Sequence, residues 1–332
     1  MAVESFKAIV LNKEDGKVRG AVQELQGSQL PEGDVLVRVS YSSLNYKDGL
    51  ALSGAPGVIR NFPMVPGIDF SGVVEESSSD AFQPGDEVLL TGWGVGERHF
   101  GGMSQYARVK AGWLVPMPAG LDQKRAMAIG TAGFTAMQCV MALEAKGLVT
   151  GGKDVVVTGA AGGVGSVAVA ILSSLGYKVV ASTGRESMHD YLRSLGASDI
   201  IGREVLSAAS PKPMEAERWG GAVDTVGGDT LAGLLRTMAY GSSIAACGLA
   251  GGTALGTTVF PFILRGVSLL GVDSVMCPAP ERSAVWARLA TELPLDKLDS
   301  LTHVITMEAA LALAPEIMKG QVKGRTVIDV NG

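Results

Sequence analysis

The sequence predicts an α/β chain in two parts: a mostly antiparallel β domain built from residues 1–122 and 298–332, and a doubly wound parallel sheet over residues 123–297. Three observations predict it. The chain has 332 residues, about twice what one domain usually takes. Its first third consists of short alternating runs broken by Pro and Gly. From about residue 122 the texture changes to helical stretches that alternate with apolar β-branched runs, and such alternation requires parallel strands joined by crossover helices.

In the first part, Asp34 to Val39, Ser71 to Val74 and Asp86 to Leu90 read as strands of a twisted sheet. Pro31-Glu32-Gly33-Asp34, Pro84-Gly85-Asp86 and Pro118-Ala119-Gly120 each place turn residues beside an apolar run. Helical patterns over Gln123 to Ile129 and Thr135 to Lys146 lead to a buried strand at Asp154 to Thr158. Then come strand Lys178 to Ser182, helix Ser187 to Leu195 and strand Asp199 to Ile201. Strand Ala222 to Val226, helix Thr230 to Met238 and strand Ser243 to Ala246 follow. The last stretch holds helix Met307 to Lys319 and strand Arg325 to Val330, expected to pack back on the first domain.

Composition excludes several function classes. Hydrophobic residues make up 47% and charged residues 18%, enough apolar side chain for two cores and no disordered bias. With a net charge of −5 and scattered Lys and Arg, no nucleic-acid partner is expected. No apolar run of about 18–20 residues is apparent, and the start carries Glu4 and Lys7 in place of a signal-peptide core. The expectation is a soluble, cytoplasmic chain with no membrane partner. Cys139, Cys247 and Cys277 lie far apart, and His99, His189 and His303 show no ligand spacing, so neither disulfides nor a metal are expected.

The strongest local signal is the strand Asp154-Val155-Val156-Val157 running into Thr158-Gly159-Ala160-Ala161-Gly162-Gly163-Val164-Gly165, then the apolar helix Ser166 to Leu175. A buried strand ends, the backbone turns without Cβ atoms, and a helix N-terminus offers free N–H groups to a dinucleotide pyrophosphate. About 20 residues further on, NAD-binding proteins place a carboxylate on the ribose 2′-hydroxyl. Here that strand ends in Ser182-Thr183-Gly184-Arg185. Two hydroxyls and a guanidinium suit a 2′-phosphate that a carboxylate would repel, which favours NADPH. Arg203, past the next strand, either reaches the same phosphate or is a solvated charge. Arg185 has the same bland alternative at its helix start.

Taken together, Ser43-Leu44-Asn45-Tyr46-Lys47-Asp48, Pro63-Met64-Val65-Pro66-Gly67-Ile68-Asp69-Phe70-Ser71-Gly72, Gly130-Thr131-Ala132-Gly133-Phe134-Thr135-Ala136 and the glycine loop resemble the medium-chain dehydrogenase/reductase superfamily over the whole chain. Within it, Arg60-Asn61-Phe62-Pro63, Leu90 to Glu97, Ser182 to Ser187 and Gly271 to Met276 resemble the YhdH-type quinone oxidoreductase group. The resemblance implies a GroES-like fold for the β domain and a Rossmann fold for the parallel sheet. It also implies NADPH-dependent reduction of acrylyl-CoA to propionyl-CoA, an acyl-CoA partner, and a homodimer or higher homo-oligomer. By the same likeness, Tyr46 stands beside the nicotinamide, Ala161 to Val164 on the pyrophosphate, and Thr183 to Arg185 with Arg203 on the adenosine phosphate. Leu249, Ile263 and Ser274 run along the nicotinamide side. Zinc-dependent members carry an early Cys and a Gly-His-Glu. This chain has Asn45-Tyr46 and Gly67-Ile68-Asp69 instead, so a zinc-independent enzyme is expected. Without a Lewis acid, a conjugated alkene is a better hydride acceptor than an alcohol is a donor.

For such a reaction the hydride adds to the β-carbon and the thioester carbonyl takes up enolate charge before the α-carbon is protonated, which calls for a placed donor and an acid. Tyr46 is either that donor or a ring that shapes the nicotinamide pocket; Asn45 either orients substrate or closes the turn. The loop Gly92 to Gly102 is either a lid or a surface hairpin that packs Trp93 in the core. Arg60, Lys47 and Arg98 either meet CoA phosphates or are solvated. Two other functions stand beside this one: reduction of quinones or free enones, and NADPH binding without turnover in a sensor or structural protein.

Overall fold

The computed structural model describes residues 3–332. The chain opens on an antiparallel hairpin, β1 (Ser5–Glu14) and β2 (Lys17–Gln26), closed by Asp15-Gly16, the residue pair that a two-residue turn with both φ angles positive prefers. Next come β3 (Val35–Leu44), α1 (Tyr46–Leu52), β4 (Asp69–Ser77), β5 (Glu87–Thr91), β6 (Tyr106–Val109) and β7 (Val115–Pro116). α2 (Gln123–Glu144) leads to β8 (Val155–Val157), α3 (Gly163–Ser174), β9 (Val179–Ser182), α4 (His189–Leu195) and β10 (Asp199–Ile201). α5 (Glu204–Ser207), β11 (Trp219–Asp224), α6 (Gly228–Thr237), β12 (Met238–Ala246), α7 (Phe260–Arg265) and β13 (Ser268–Gly271) complete the alternation. The chain ends on α8 (Ala279–Glu292), α9 (Leu295–Ser300), β14 (Thr302–Thr306), α10 (Met307–Met318) and β15 (Arg325–Asp329).

Two compact units result, one of Met1–Thr131, Val275–Ala290 and Leu298–Gly332, the other of Ala132–Ser274 and Thr291–Lys297. The first holds a seven-stranded sheet in the order β14-β15-β3-β4-β5-β7, with β6 also paired to β3. Apart from the parallel pair β14–β15 its ladders are antiparallel. Val35, Val37 and Val39 of β3 point to a core with Phe70, Val88, Leu90 and Ile328. β15 lies against β3, Thr326 opposite Leu44, so the chain end returns to the first domain as expected.

The second unit holds six parallel strands in the order β10-β9-β8-β11-β12-β13. The order reverses at β8, and in a doubly wound sheet ligands bind outside the carboxyl ends of the strands at that point. β8 is buried along its whole length, and so is α3 from Gly165 to Leu172, which is why both read as continuous apolar runs in the sequence.

Two expectations are corrected. Residues 123–131 and 275–290 group with the first unit, whereas a boundary at 122/123 and a single return at 298 were expected. The cause is side-chain anchoring. Arg325 Nε donates to the Ala128 carbonyl at 2.7 Å, and Arg282 on α8 donates to the Thr91 carbonyl at 2.7 Å while its guanidinium lies 4.9 Å from the Trp93 ring. Secondly, the two helical patterns join as α2, which breaks helical geometry only at Gly130 (φ 48°, ψ −160°). Its 22 residues are long and apolar enough to cross a bilayer by composition, but 78% of the span is buried inside the protein, as in a core helix.

Candidate active site

In the second unit the end of β8 builds a cradle of backbone amides. Gly159 has φ +58°, and a Cβ there would collide with the Thr225 hydroxyl, so the turn needs glycine. Gly162 caps α3, Gly165 packs on the backbone of Gly159 and Ala160, and the first helical bond runs from the Ser166 N–H to the Gly162 carbonyl at 2.9 Å. The N–H groups of Gly163, Val164 and Gly165 precede that bond and are free for an anion, with the helix dipole behind them. A buried carboxyl holds the cradle. Asp224 accepts from Thr158 Oγ1 at 2.6 Å and from the Gly227 N–H at 2.9 Å, and Thr225 Oγ1 donates to the Thr158 carbonyl at 2.9 Å. Burial pushes the Asp224 pKa up, against the pull of those donors.

At the end of β9, Ser182 is fully buried and its Oγ has no hydrogen-bond partner among the described residues. Thr183 donates its N–H to Ile201 at 3.0 Å, and its Oγ1 accepts the Arg185 N–H at 3.2 Å. Arg203 lies over the same turn: a Cβ on Gly184 would stand 2.8 Å from its Nε and 3.1 Å from its Cζ. The structure therefore brings Ser182, Thr183, Gly184 and Arg203 together, beside the backbone of Arg185.

In the first unit, Tyr46 opens α1 with 39% of its surface exposed, and behind it lies a buried polar cluster. Asp48 reaches back to accept the Asn45 N–H at 2.8 Å and also accepts the Ile68 N–H at 3.0 Å. Asp69 accepts from Ser43 Oγ (2.6 Å), Asn45 Nδ2 (2.9 Å), the Thr131 N–H (2.8 Å) and Thr131 Oγ1 (2.5 Å). Arg325 donates to Asn45 Oδ1 at 3.1 Å. Gly130 is the seam: a Cβ there would lie 2.6 Å from Asp69 Oδ2 and 2.8 Å from Arg325 Nη2. Burial, then the neighbouring Asp69 charge, raises the Asp48 pKa to about 7.

Comparison with known proteins fits both halves. Residues 31–119 match the family described as alcohol dehydrogenase GroES-like domain, and residues 163–291 the one described as zinc-binding dehydrogenase. Acrylyl-CoA reductase AcuI of Ruegeria pomeroyi is 55% identical over 328 residues, which cover 98% of this chain and 99% of that protein. The crystal structure of Escherichia coli K-12 YhdH with bound NADPH matches with a TM-score of 0.96 at 55% identity, over 98% of this chain and 100% of that one. Bacillus subtilis YhfP with NAD bound matches with a TM-score of 0.95 at 44% identity, over 98% and 99%. This chain belongs to the medium-chain dehydrogenase/reductase superfamily, in its YhdH/AcuI group.

The zinc of other medium-chain reductases does not fit this member. Where the thiolate would stand, Asn45 has both ends of its amide engaged; Ile68 takes the place of the imidazole, and the Asp69 carboxyl beside it already accepts four donors. Among the described residues no three His, Cys, Asp or Glu side chains form a group that could hold a metal. The loop Gly92 to Gly102 is tied down: Trp93 donates its N–H to Val275, Lys47 Nζ donates to Glu97 at 2.9 Å, and His99 Nε2 lies 2.7 Å from the Arg108 carbonyl. It is a packed surface loop, not the hairpin of the sequence reading, with a single parallel bridge between Val95 and His99 and with Trp93 against the core. Burial lowers the His99 pKa. Cys139 is no nucleophile, since the adjoining Cys247 and burial hold its thiol well above the usual range.

Leu249 is exposed in the loop after β12, and Ile263 is exposed on α7 before β13, whereas Ser274 follows β13 and is half-buried. Sequence reasoning missed Asp48, Thr131, Asp224 and Arg325. Only Asp48 left a local signal: Asn45 caps the helix and Asp48 is its third residue, the spacing of a capping box.

Proposed function

We propose that this chain reduces the activated carbon–carbon double bond of acrylyl-CoA to propionyl-CoA at the expense of NADPH. The observation that carries this reading is the near full-length 55% identity to a protein named acrylyl-CoA reductase. The residues present fit the cofactor. A fully buried, unpartnered Ser182 hydroxyl, the Thr183 hydroxyl and two arginines around one turn are the donors a 2′-phosphate needs. The amide cradle of 162–165 fits the pyrophosphate, with Gly159 and Ala161 shaping it. We assign Leu249, Ile263 and Ser274 to the nicotinamide side.

When bound, NADPH supplies a hydride. Tyr46 then donates a hydrogen bond to the thioester oxygen as enolate charge develops and keeps its proton, and the α-carbon takes its proton from water. Asn45 is a positioning residue, because its amide is buried and engaged at both ends, by Asp69 and by Arg325. Quinone reduction shares the hydride step and differs only in the acceptor. We further propose that the chain is cytoplasmic and forms a homodimer or higher homo-oligomer, the latter supported by the exposed apolar side chains that precede β13, an edge strand of the parallel sheet.

Steady-state oxidation of NADPH with acrylyl-CoA, crotonyl-CoA and benzoquinone side by side tests the reading. Acrylyl-CoA is expected to lead in kcat/KM, over crotonyl-CoA by about tenfold or more, the scale of one methyl group in a fitted pocket. A lead for benzoquinone transfers the assignment to quinone reduction, and no turnover with any of the three leaves a binding protein.

A further inference from the structure

α1 has seven residues, too few to hold a helical conformation on its own in water. What fixes its first turn, and with it Tyr46, lies outside the helix. The Asp48 carboxyl accepts the Asn45 N–H and the Ile68 N–H, and so ties the start of the helix to the segment entering β4. The Asn45 amide bridges the two buried acids, its Nδ2 2.9 Å from Asp69 Oδ2 and 3.3 Å from Asp48 Oδ2, while Arg325 holds its other end. Two carboxyls therefore share one amide in a space closed to water, Asp48 at 1% and Asp69 at 0% exposure.

We propose that Asp48 is a proton-switched positioning residue: ionised, it clamps the first turn of α1 and aims the Tyr46 hydroxyl; protonated, it releases that turn. The proposal rests on the reading of Tyr46 as donor for its catalytic consequence, but not for the movement itself. An ionised carboxylate is the stronger acceptor for two backbone N–H groups, and a protonated one gives up about half of that grip. Asp69 is saturated by four donors, which leaves Asp48, with fewer, as the acid of the pair that takes the proton. The groups facing Asp48 agree with this. From β4 the charge is that of Asp69, and from β15 Arg325 stands one residue removed, on Asn45. Lys47 turns instead to Glu97. α10 packs Ile317 and Met318 against Gly49, and its Glu316 and Lys319 pair with each other. Burial and the Asp69 charge put the Asp48 pKa at about 7, inside the range in which an enzyme works.

The test is an NMR titration of the full chain labelled with ring-13C tyrosine, from about pH 5.5 to about pH 8.5, bracketing the Asp48 transition. With six tyrosines, the Tyr46 signal is identified by its loss in Tyr46→Phe. Expected is a single titration of the Tyr46 signal with a midpoint near neutrality, absent in Asp48→Asn. NADPH-dependent turnover should follow the same midpoint, kcat falling about tenfold per pH unit below it, and should lose that inflection in Asp48→Asn. A Tyr46 signal that stays fixed across the range in the wild type overturns the proposal, as does one that titrates unchanged in Asp48→Asn. If Asp48→Asn does not fold, Asp48→Glu replaces it, with a displaced midpoint expected and an undisplaced one fatal. Full turnover in Tyr46→Phe sinks the donor role of Tyr46 alone, since the titration is read without turnover.

Discussion

At the end of β9 no carboxylate is present, and Ser182, Thr183 and Arg185 stand in its place, with Arg203 laid over Gly184 from the neighbouring turn. Each of these groups donates, and a phosphate monoester is the partner that uses several donors at once. Arg185→Ala is therefore expected to weaken NADPH binding by roughly 1.5–3 kcal/mol, the scale of a hydrogen bond to a charged group, and to leave NADH nearly unchanged. Parallel fluorescence titrations with the two cofactors decide it, and equal losses would refute the assignment. Gly130 is a second position where one residue carries the local structure. Its φ of +48° disfavours any side chain, and a Cβ would press on Asp69 and Arg325. Gly130→Ala should cost about 1–3 kcal/mol of stability, read from the urea midpoint at constant slope. An unchanged midpoint would mean that the kink in α2 can be straightened at no cost.

At the scale of an element, α1 is held by a carboxyl whose charge is costly to bury. Burial raises the Asp48 pKa from 3.8 to about 7, so the folded protein holds a proton there that the unfolded chain releases. The sign follows: stability is greatest below the unfolded pKa and declines as pH rises towards 7, after which the loss is complete. Between about pH 5.5 and about pH 8 this amounts to about 2 kcal/mol. Asp48→Asn should flatten that part of the pH dependence in urea unfolding, and an equal slope in both proteins would show that other groups set it. Five strands of the parallel sheet were legible in the sequence because buried strands are continuous apolar runs bounded by glycine, and β10 appears where Asp199 to Ile201 predicted it, whereas the short, half-buried β13 was missed. The hairpin β1–β2 was missed although Asp15-Gly16 announces it, because most of β2 is exposed and its apolar period is faint. The cofactor loop was legible because it is made by one stretch of backbone. The Asp48 cluster was not, for its partners come from β3, β4, α2 and β15, and Arg325 lies 280 residues from Asn45. No local pattern reports such an encounter.

For the whole molecule the open matter is what covers the edge of the parallel sheet. Among the described residues β13 pairs with β12 on one side only, and Val259, Phe260, Ile263 and Leu264, which precede it in the chain, are exposed, at 63% and 54% for Val259 and Leu264. A strand edge left unpaired invites pairing with another chain. A second copy of this chain is the partner always present at equal concentration, and a two-fold axis lets one β13 pair with the other so that the same patch covers itself. Light scattering is then expected to give twice the chain mass of 34.2 kDa. Leu264→Asp buries a charge in each half of the interface and should shift the population to the single-chain mass, with the circular dichroism spectrum of the folded chain retained. A wild-type mass of 34.2 kDa at micromolar concentration would remove the dimer, and a Leu264→Asp protein that stays dimeric would move the interface to another face of the molecule.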